Sequence, residues 1–234
     1  MSENSNTNDD SSLNLELENF QILPDDFTEI DLNFKVIVIG DAGVGKTCIT
    51  KKGIKNTFAD SYNPTIGFEF LSFIIKLSDK KIRLQIWDTC GQEAYRSLIT
   101  NFYRNSSLAI MVYSIDDRKS FENIDIWLIE MRTYSNPDVK IFLIGNKNDL
   151  EKKRKVDKEE GELYTKNNNI DLFMESSAKN GFNTQKLFIE ASKILYKDYL
   201  MYKNKQKNKN KVESKNDEKN KLKNDDDKKK SSCC

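Results

Sequence analysis

Ile39-Gly40-Asp41-Ala42-Gly43-Val44-Gly45-Lys46-Thr47 decides how this chain is read. The apolar run Phe34-Lys35-Val36-Ile37-Val38-Ile39 feeds directly into the spacing G-x-x-x-x-G-K-T, and the residues that follow, up to about Asn56, suit a helix. Strand, glycine loop and helix in that order are the context a phosphate-binding loop requires. Gly40, Gly43 and Gly45 let the backbone turn sharply and aim its N–H groups inward, where they and the helix N-terminus hold phosphate oxygens. In that role Lys46 reaches the terminal phosphates of a nucleotide and Thr47 offers its hydroxyl to a magnesium ion. An ordinary strand-to-helix turn satisfies the same spacing, so the case rests on what lies around it.

Composition divides the 234 residues into three parts. Residues 1–33 hold nine acidic and no basic residues among Asn and Ser, and residues 203–232 hold twelve Lys and six acidic residues. The whole-chain charge of +1 therefore averages unlike segments, and the body between them carries about +4. A nearly balanced body argues against nucleic acid as a partner, and the charged ends suit solvated tails or protein and membrane contacts. There is no His, and the four Cys show neither a disulfide framework nor metal-ligand spacing, which excludes His-based catalysis and most zinc sites. The start shows neither a basic region nor an apolar stretch, and no run of about 18 apolar residues occurs anywhere, so the expected setting is the reducing cytosol.

From Phe34 onward apolar runs alternate with amphipathic stretches. Gly67 to Leu77 and Lys81 to Asp88, joined by Ser78-Asp79-Lys80, read as a hairpin. Leu108 to Tyr113 and Val139 to Ile144 are short unbroken apolar runs of the kind buried on both faces of a sheet. Between and after them, helices are expected around Phe121 to Met131, Val156 to Lys166 and Asn183 to Tyr199, with a strand at Ile170 to Met174. Such alternation means a mostly parallel sheet covered on both faces, with ligands beyond the carboxyl ends of its strands. Leu13, Leu15, Leu17, Phe20, Ile22 and Leu23 alternate weakly in the N-terminal segment, which admits a short strand, but its Asn, Ser and acidic content favours a disordered arm over 1–33.

The remaining motifs fall at those strand ends. In Trp87-Asp88-Thr89-Cys90-Gly91-Gln92-Glu93, Asp88 can hold magnesium through its water shell, Gly91 lets the backbone approach a γ-phosphate, and Gln92 can orient an attacking water because its amide both donates and accepts. In Asn146-Lys147-Asn148-Asp149, one carboxylate can accept the ring N–H and exocyclic amine that guanine presents side by side, so Asp149 selects guanine while the stem of Lys147 lies against the ring. Glu175-Ser176-Ser177-Ala178-Lys179 suits either a capped loop or an Ala178 N–H directed at the guanine oxygen.

Residues 34 to about 200 thus resemble a Ras-superfamily small GTPase, with all its nucleotide motifs in order. Tyr62-Asn63-Pro64-Thr65-Ile66-Gly67-Phe68-Glu69-Phe70, the Trp87 to Glu93 stretch with Tyr95-Arg96-Ser97, and a terminal Cys-Cys make the chain most similar to the Rab branch. The resemblance implies a P-loop NTPase fold of α/β class: a six-stranded, mostly parallel sheet with one antiparallel strand, helices on both faces, and tails at 1–33 and 201–234. It implies GTP and GDP as ligands and Mg2+ held by Thr47, Thr65 and Asp88, with Lys46, Thr65 and Gln92 as the catalytic set. Nucleotide contacts are expected from Asp41, Ala42, Gly43, Val44, Gly45, Lys46, Thr47 and Cys48, from Phe58 edge-on to guanine, and from Tyr62 over the phosphates. Further contacts are expected from Thr65, Gly91, Asn146, Lys147, Asp149, Ser177, Ala178 and Lys179. Phe70, Trp87 and Phe102 would form the aromatic surface that effectors read, although core packing would also use them.

The implied partners are an exchange factor, a GTPase-activating protein that supplies a missing cation, an escort protein, a GDP-dissociation inhibitor and effectors, acting on a monomer in vesicle and protein transport. Cys233 and Cys234 fit double geranylgeranylation, and two lipid chains anchor a protein stably where one does not. That places the protein on the cytoplasmic face of intracellular membranes, with a cytosolic pool. Two departures stand out. Ala42 fills a position that is Gly in Ras and often Ser in Rabs, and Cys90 replaces the usual Ala, so slow hydrolysis and a mostly GTP-loaded binding module form the alternative reading.

Overall fold

The computed structural model describes residues 17, 19–59, 65, 67–91 and 101–206. Strands β1 (Phe20–Leu23), β2 (Leu32–Ile39), β3 (Phe68–Leu77), β4 (Lys80–Thr89), β5 (Leu108–Ser114), β6 (Lys140–Asn146) and β7 (Leu172–Glu175) form one sheet in the order β1-β3-β4-β2-β5-β6-β7. β2 runs parallel to both β4 and β5, and β6 and β7 continue that direction. Among these strands only β3 opposes its neighbours, pairing antiparallel with both β1 and β4. The chain leaves β2 toward one edge and returns toward the other, so the crevice at the end of β2 is the topological switch point where open α/β sheets bind ligands.

Parallel central strands are covered on both faces, which is why β5 is buried over its whole length. On one face Ile37, Ile39, Met111, Tyr113 and Leu143 meet Phe121, Ile124, Trp127, Leu128 and Met131 from the helices α2 (Arg118–Glu122) and α3 (Ile124–Tyr134). The helix α4 (Lys158–Asn167) joins that layer through Tyr164, whose ring lies 5.5 Å from Phe121. On the other face the helix α1 (Lys46–Lys55) packs on residues 184–195, which are helical. Gly53 permits this close approach, because a Cβ there would stand 2.5 Å from the Thr184 carbonyl and 2.6 Å from the Phe188 ring. The Phe188 ring in turn sits 5.7 Å from Phe73 of β3. The chain divides into two compact units, 1–195 and 196–234. In the second, residues 196–206 are helical, with the Tyr196 and Tyr199 rings stacked.

Three expectations change. The sheet has seven strands instead of six, because Phe20–Leu23 is ordered as β1 in antiparallel register with Ile74–Leu77. Disorder over the whole of 1–33 therefore does not hold. The acidic residues meant for solvent instead meet the basic start of β4: Glu29 pairs with Lys81 at 2.7 Å, Asp31 accepts from the Lys81 N–H at 2.8 Å, and the Phe27 carbonyl accepts from Arg83 at 2.7 Å. The single helix expected around Phe121 to Met131 breaks at Asn123, which closes α2 and opens α3. Finally, β4 takes in Lys80 and Thr89, one residue beyond each end of the expected Lys81 to Asp88 strand, because cross-strand pairing with Leu77 and Phe68 continues there.

Deleting residues 1–24 is expected to lower stability by about 1–3 kcal/mol, the scale of a few lost hydrogen bonds between backbones. Urea unfolding followed by circular dichroism measures this, and GDP binding should survive the deletion.

Candidate functional site

β2 ends at Ile39 and the chain turns through Gly40, Gly43 and Gly45, all at positive φ, before α1 begins. Gly45 is the position that most requires glycine. Its φ is 96°, and a side chain would collide with the Asn146 amide. That amide donates to the Val44 carbonyl at 2.7 Å, while its oxygen accepts from the Ser176 hydroxyl at 3.3 Å and the Ala178 N–H at 3.4 Å. One buried side chain thereby ties the glycine loop to the loops after β6 and β7.

Lys46 points back into the loop and donates to the Gly40 and Asp41 carbonyls, both at 2.8 Å. Burial pushes its pKa down to about 8 against the opposing pull of Asp88, Asp41 and Cys90. Two neutral carbonyls are modest partners for a buried ammonium, and an anion is a stronger one. Next to it, Thr47 Oγ1 donates to Asp88 Oδ2 at 2.5 Å and lies 2.7 Å from Thr65 Oγ1. Burial raises the Asp88 carboxyl to about 6, although the Thr47 hydroxyl and the Lys46 charge both act against the rise. Asp88 Oδ1 is buried without a hydrogen-bond partner.

Lys46, Thr47 and Thr65 border a cavity of about 580 Å³, and Asp88 stands behind Thr47 outside its lining. Of the residues expected to bind nucleotide, Ala42, Gly43, Gly45, Lys46, Thr47, Cys48, Phe58, Thr65, Gly91, Asn146, Lys147, Asp149, Ala178 and Lys179 line it. The cavity runs from the glycine loop to the Asp149 loop. A family model described as Ras family matches residues 35–197. The chain belongs to the Ras family. It is a small GTPase, and members of this family bind GTP and GDP, typically with Mg2+, and work with exchange factors, activating proteins and effectors.

The residues present fit a magnesium ion. Thr47 and Thr65 hydroxyls converge, and the orphaned Asp88 Oδ1 supplies a hard anionic oxygen beside them. At the base end of this GTPase, Asp149 accepts from the Ser177 hydroxyl at 2.5 Å. Glu175 anchors the surrounding loops: Arg154 donates to its two oxygens at 2.6 and 3.0 Å, and the Asn148 amide donates at 2.7 Å. The Glu175 to Lys179 stretch is thus both a capped loop and a wall of the cavity. Ser177 holds Asp149 instead of lining the cavity, and Val44 is buried beneath it. Arg154 escaped the sequence reading because nothing in the chain pairs it with Glu175, 21 residues away, until β7 lies beside β6.

Phe70 and Phe68 are each 48% exposed, too open for a core role. Phe68, Phe70 and Phe102 surround Trp87 with ring centroids at 5.2, 5.4 and 5.3 Å. Phe68 belongs to this patch although sequence reasoning named only the other three. Cys90 is buried, and its N–H donates to the Gly67 carbonyl at 2.9 Å. Gly91 faces the glycine loop so closely that a Cβ would collide with Lys46 Nζ and Asp41. Tyr62, Gln92, Cys233 and Cys234 lie outside the described residues.

Two outcomes follow from this geometry. Glu175→Ala should destabilise the protein by about 1–3 kcal/mol, because the Arg154 guanidinium loses its buried partner and keeps only the exposed Glu151 and the Val156 carbonyl, and should speed GDP release. Urea unfolding and a labelled-GDP chase check both, and the Arg154→Met, Glu175→Leu double variant should recover most of the stability. The second concerns Asp88. A carboxyl held above its unfolded value of 3.8 favours folding below that pH and loses the advantage as pH rises through about 6. Nucleotide-free protein should therefore lose about 2 kcal/mol between pH 4 and 7 from this group, and Asp88→Asn should flatten that part of the stability profile.

Proposed function

We propose that this GTPase is a Rab-type switch of intracellular vesicle and protein transport, cycling between GDP and GTP and recruiting effectors when GTP is bound. The observation that carries the reading is the aromatic patch of Phe68, Phe70, Trp87 and Phe102, in which Phe68 and Phe70 are half exposed and Phe102 also packs on the core. The patch sits on β3, β4 and residues 101–103, the strands that connect Thr65 to Gly91. A contiguous apolar patch of this kind marks a protein interaction site, and its place between two phosphate-sensing residues makes its shape depend on the nucleotide.

In hydrolysis a water oxygen bonds to the γ-phosphorus while the bond from that phosphorus to the β,γ-bridging oxygen breaks, giving GDP and phosphate. The chain's part is positioning and charge neutralisation. Lys46 exchanges its two carbonyl partners for phosphate oxygens, the Gly91 N–H holds the γ-phosphate, and Gln92 orients the water. Thr47, Thr65 and Asp88 would hold the magnesium ion, which when bound neutralises charge on the β- and γ-phosphate oxygens. Loss of the γ-phosphate releases Thr65 and Gly91 and relaxes the segments that carry them. Among the described residues no Arg lines the cavity, and an activating protein supplies the cation for the transition state. Ala42 lines the cavity beside Gly91, where its methyl slows intrinsic turnover. Cys233 and Cys234 carry geranylgeranyl groups delivered with an escort protein and shielded by a GDP-dissociation inhibitor. They seat the GTPase on the cytoplasmic face of its membrane, and the Lys-rich tail adds attraction to anionic lipid.

Single-turnover hydrolysis tests the turnover claim, with Ala42→Gly expected to be several-fold faster than wild type and an unchanged rate counting against it. Mass spectrometry of the membrane fraction of eukaryotic cells expressing the full chain tests the anchoring. Two geranylgeranyl groups on the terminal cysteines are expected, and free thiols at both would overturn it.

A further inference from the structure

Asp41 places a carboxylate inside the loop that must receive a polyanion, yet its side chain is absent from the cavity lining. Its carbonyl oxygen accepts from Lys46, and its carbonyl carbon packs against Gly91, so its main chain belongs to the phosphate site. The side chain turns the other way, toward the break between α2 and α3. There Oδ2 accepts from the Asn123 amide at 2.6 Å and Oδ1 from the Trp127 indole N–H at 2.8 Å. Asn123 stands at the break itself, and Trp127 is locked by burial near the start of α3. Both oxygens are thus satisfied by neutral donors on rigid supports. The carboxylate keeps its direction without a cation that would compete for the phosphates.

A free carboxylate at this position would repel bound phosphate, and the repulsion would grow with the charge of the ligand. The triphosphate therefore loses more than the diphosphate if the side chain swings inward. We propose that Asn123 and Trp127 are positioning residues for GTP: they hold the Asp41 carboxylate away from the phosphate cavity and thereby set the preference of the site for GTP over GDP. They also make the α2–α3 junction part of the nucleotide site, although neither residue lines the cavity.

The proposal rests on the phosphate site described above, and the test separates the two. Affinities of the full chain for labelled GDP and for labelled non-hydrolysable GTP are measured in wild type, Asn123→Ala, Trp127→Phe and the double variant, each with and without Asp41→Asn. The double variant should lose on the order of tenfold more affinity for the GTP analogue than for GDP, and Asp41→Asn in that background should restore the wild-type ratio. Equal losses for both nucleotides, or a changed ratio that Asp41→Asn does not reverse, would show general loosening and overturn the proposal. If Trp127→Phe does not fold, Asn123→Ala with and without Asp41→Asn decides between the same two outcomes from a smaller shift. A wild-type chain that binds neither nucleotide would remove the phosphate site itself.

Discussion

The buried ammonium of Lys46 is the constraint on which the rest of the site depends. It is held 2.8 Å from two carbonyls of its own loop and opposite Asp88, which burial drives toward its neutral form. A lysine pushed down to about 8 and a carboxyl pushed up to about 6 both carry a desolvation cost that no partner in the protein fully offsets. A polyphosphate with a divalent cation would answer both at once, the anion beside Lys46 and the cation beside Asp88, Thr47 and Thr65. Nucleotide binding and stability are therefore one equilibrium in this GTPase, and a ligand that binds only the folded form raises stability by mass action.

The sheet supplies the rigidity this requires. β2 ends beneath the glycine loop, β4 delivers Asp88 beside it through parallel pairing of Val38 with Asp88, and β6 delivers Asn146 from the other side. Asn146 then closes the arrangement by bonding to Val44, Ser176 and Ala178 together. Phosphate end and base end are in this way fastened to one another through a single amide, not only through the ligand. The same economy appears in Gly91, which must lack a side chain because Lys46 and Asp41 already occupy the space.

The N-terminal segment extends the sheet beyond β3. Its four-residue strand pairs with the end of β3, its acidic Glu29 and Asp31 pair with Lys81 and Lys80 at the start of β4, and its Phe27 carbonyl accepts from Arg83. Each such surface ion pair is worth little alone. Together with the strand pairing they fix the outer edge of the β3–β4 hairpin, whose opposite end carries Phe68, Phe70 and Trp87 and leads to Gly91.

Much of the architecture was legible in the chain because its signals are local. G-x-x-x-x-G-K-T specifies a loop through the conformations only glycine adopts, unbroken apolar runs specify strands buried on two faces, and the expectation of guanine at Asp149 follows from the chemistry of one carboxylate. The β1 strand was only weakly legible, in the alternation of Phe20, Ile22 and Leu23, because four residues of mixed exposure pair only if a free edge with matching charge is already in place. Not legible at all were the Arg154–Glu175 pair, the Asn146 bridge and the seat of Asp41 against Asn123 and Trp127, which join residues 21 to 102 positions apart. Sequence alone determined the family, the phosphate loop and the purine; tertiary structure decided which side chains face the ligand and which hold others in place. The physical reason is that backbone conformation and hydrophobic pattern are properties of neighbouring residues, whereas a buried polar group takes whatever partner the completed fold brings within hydrogen-bonding distance.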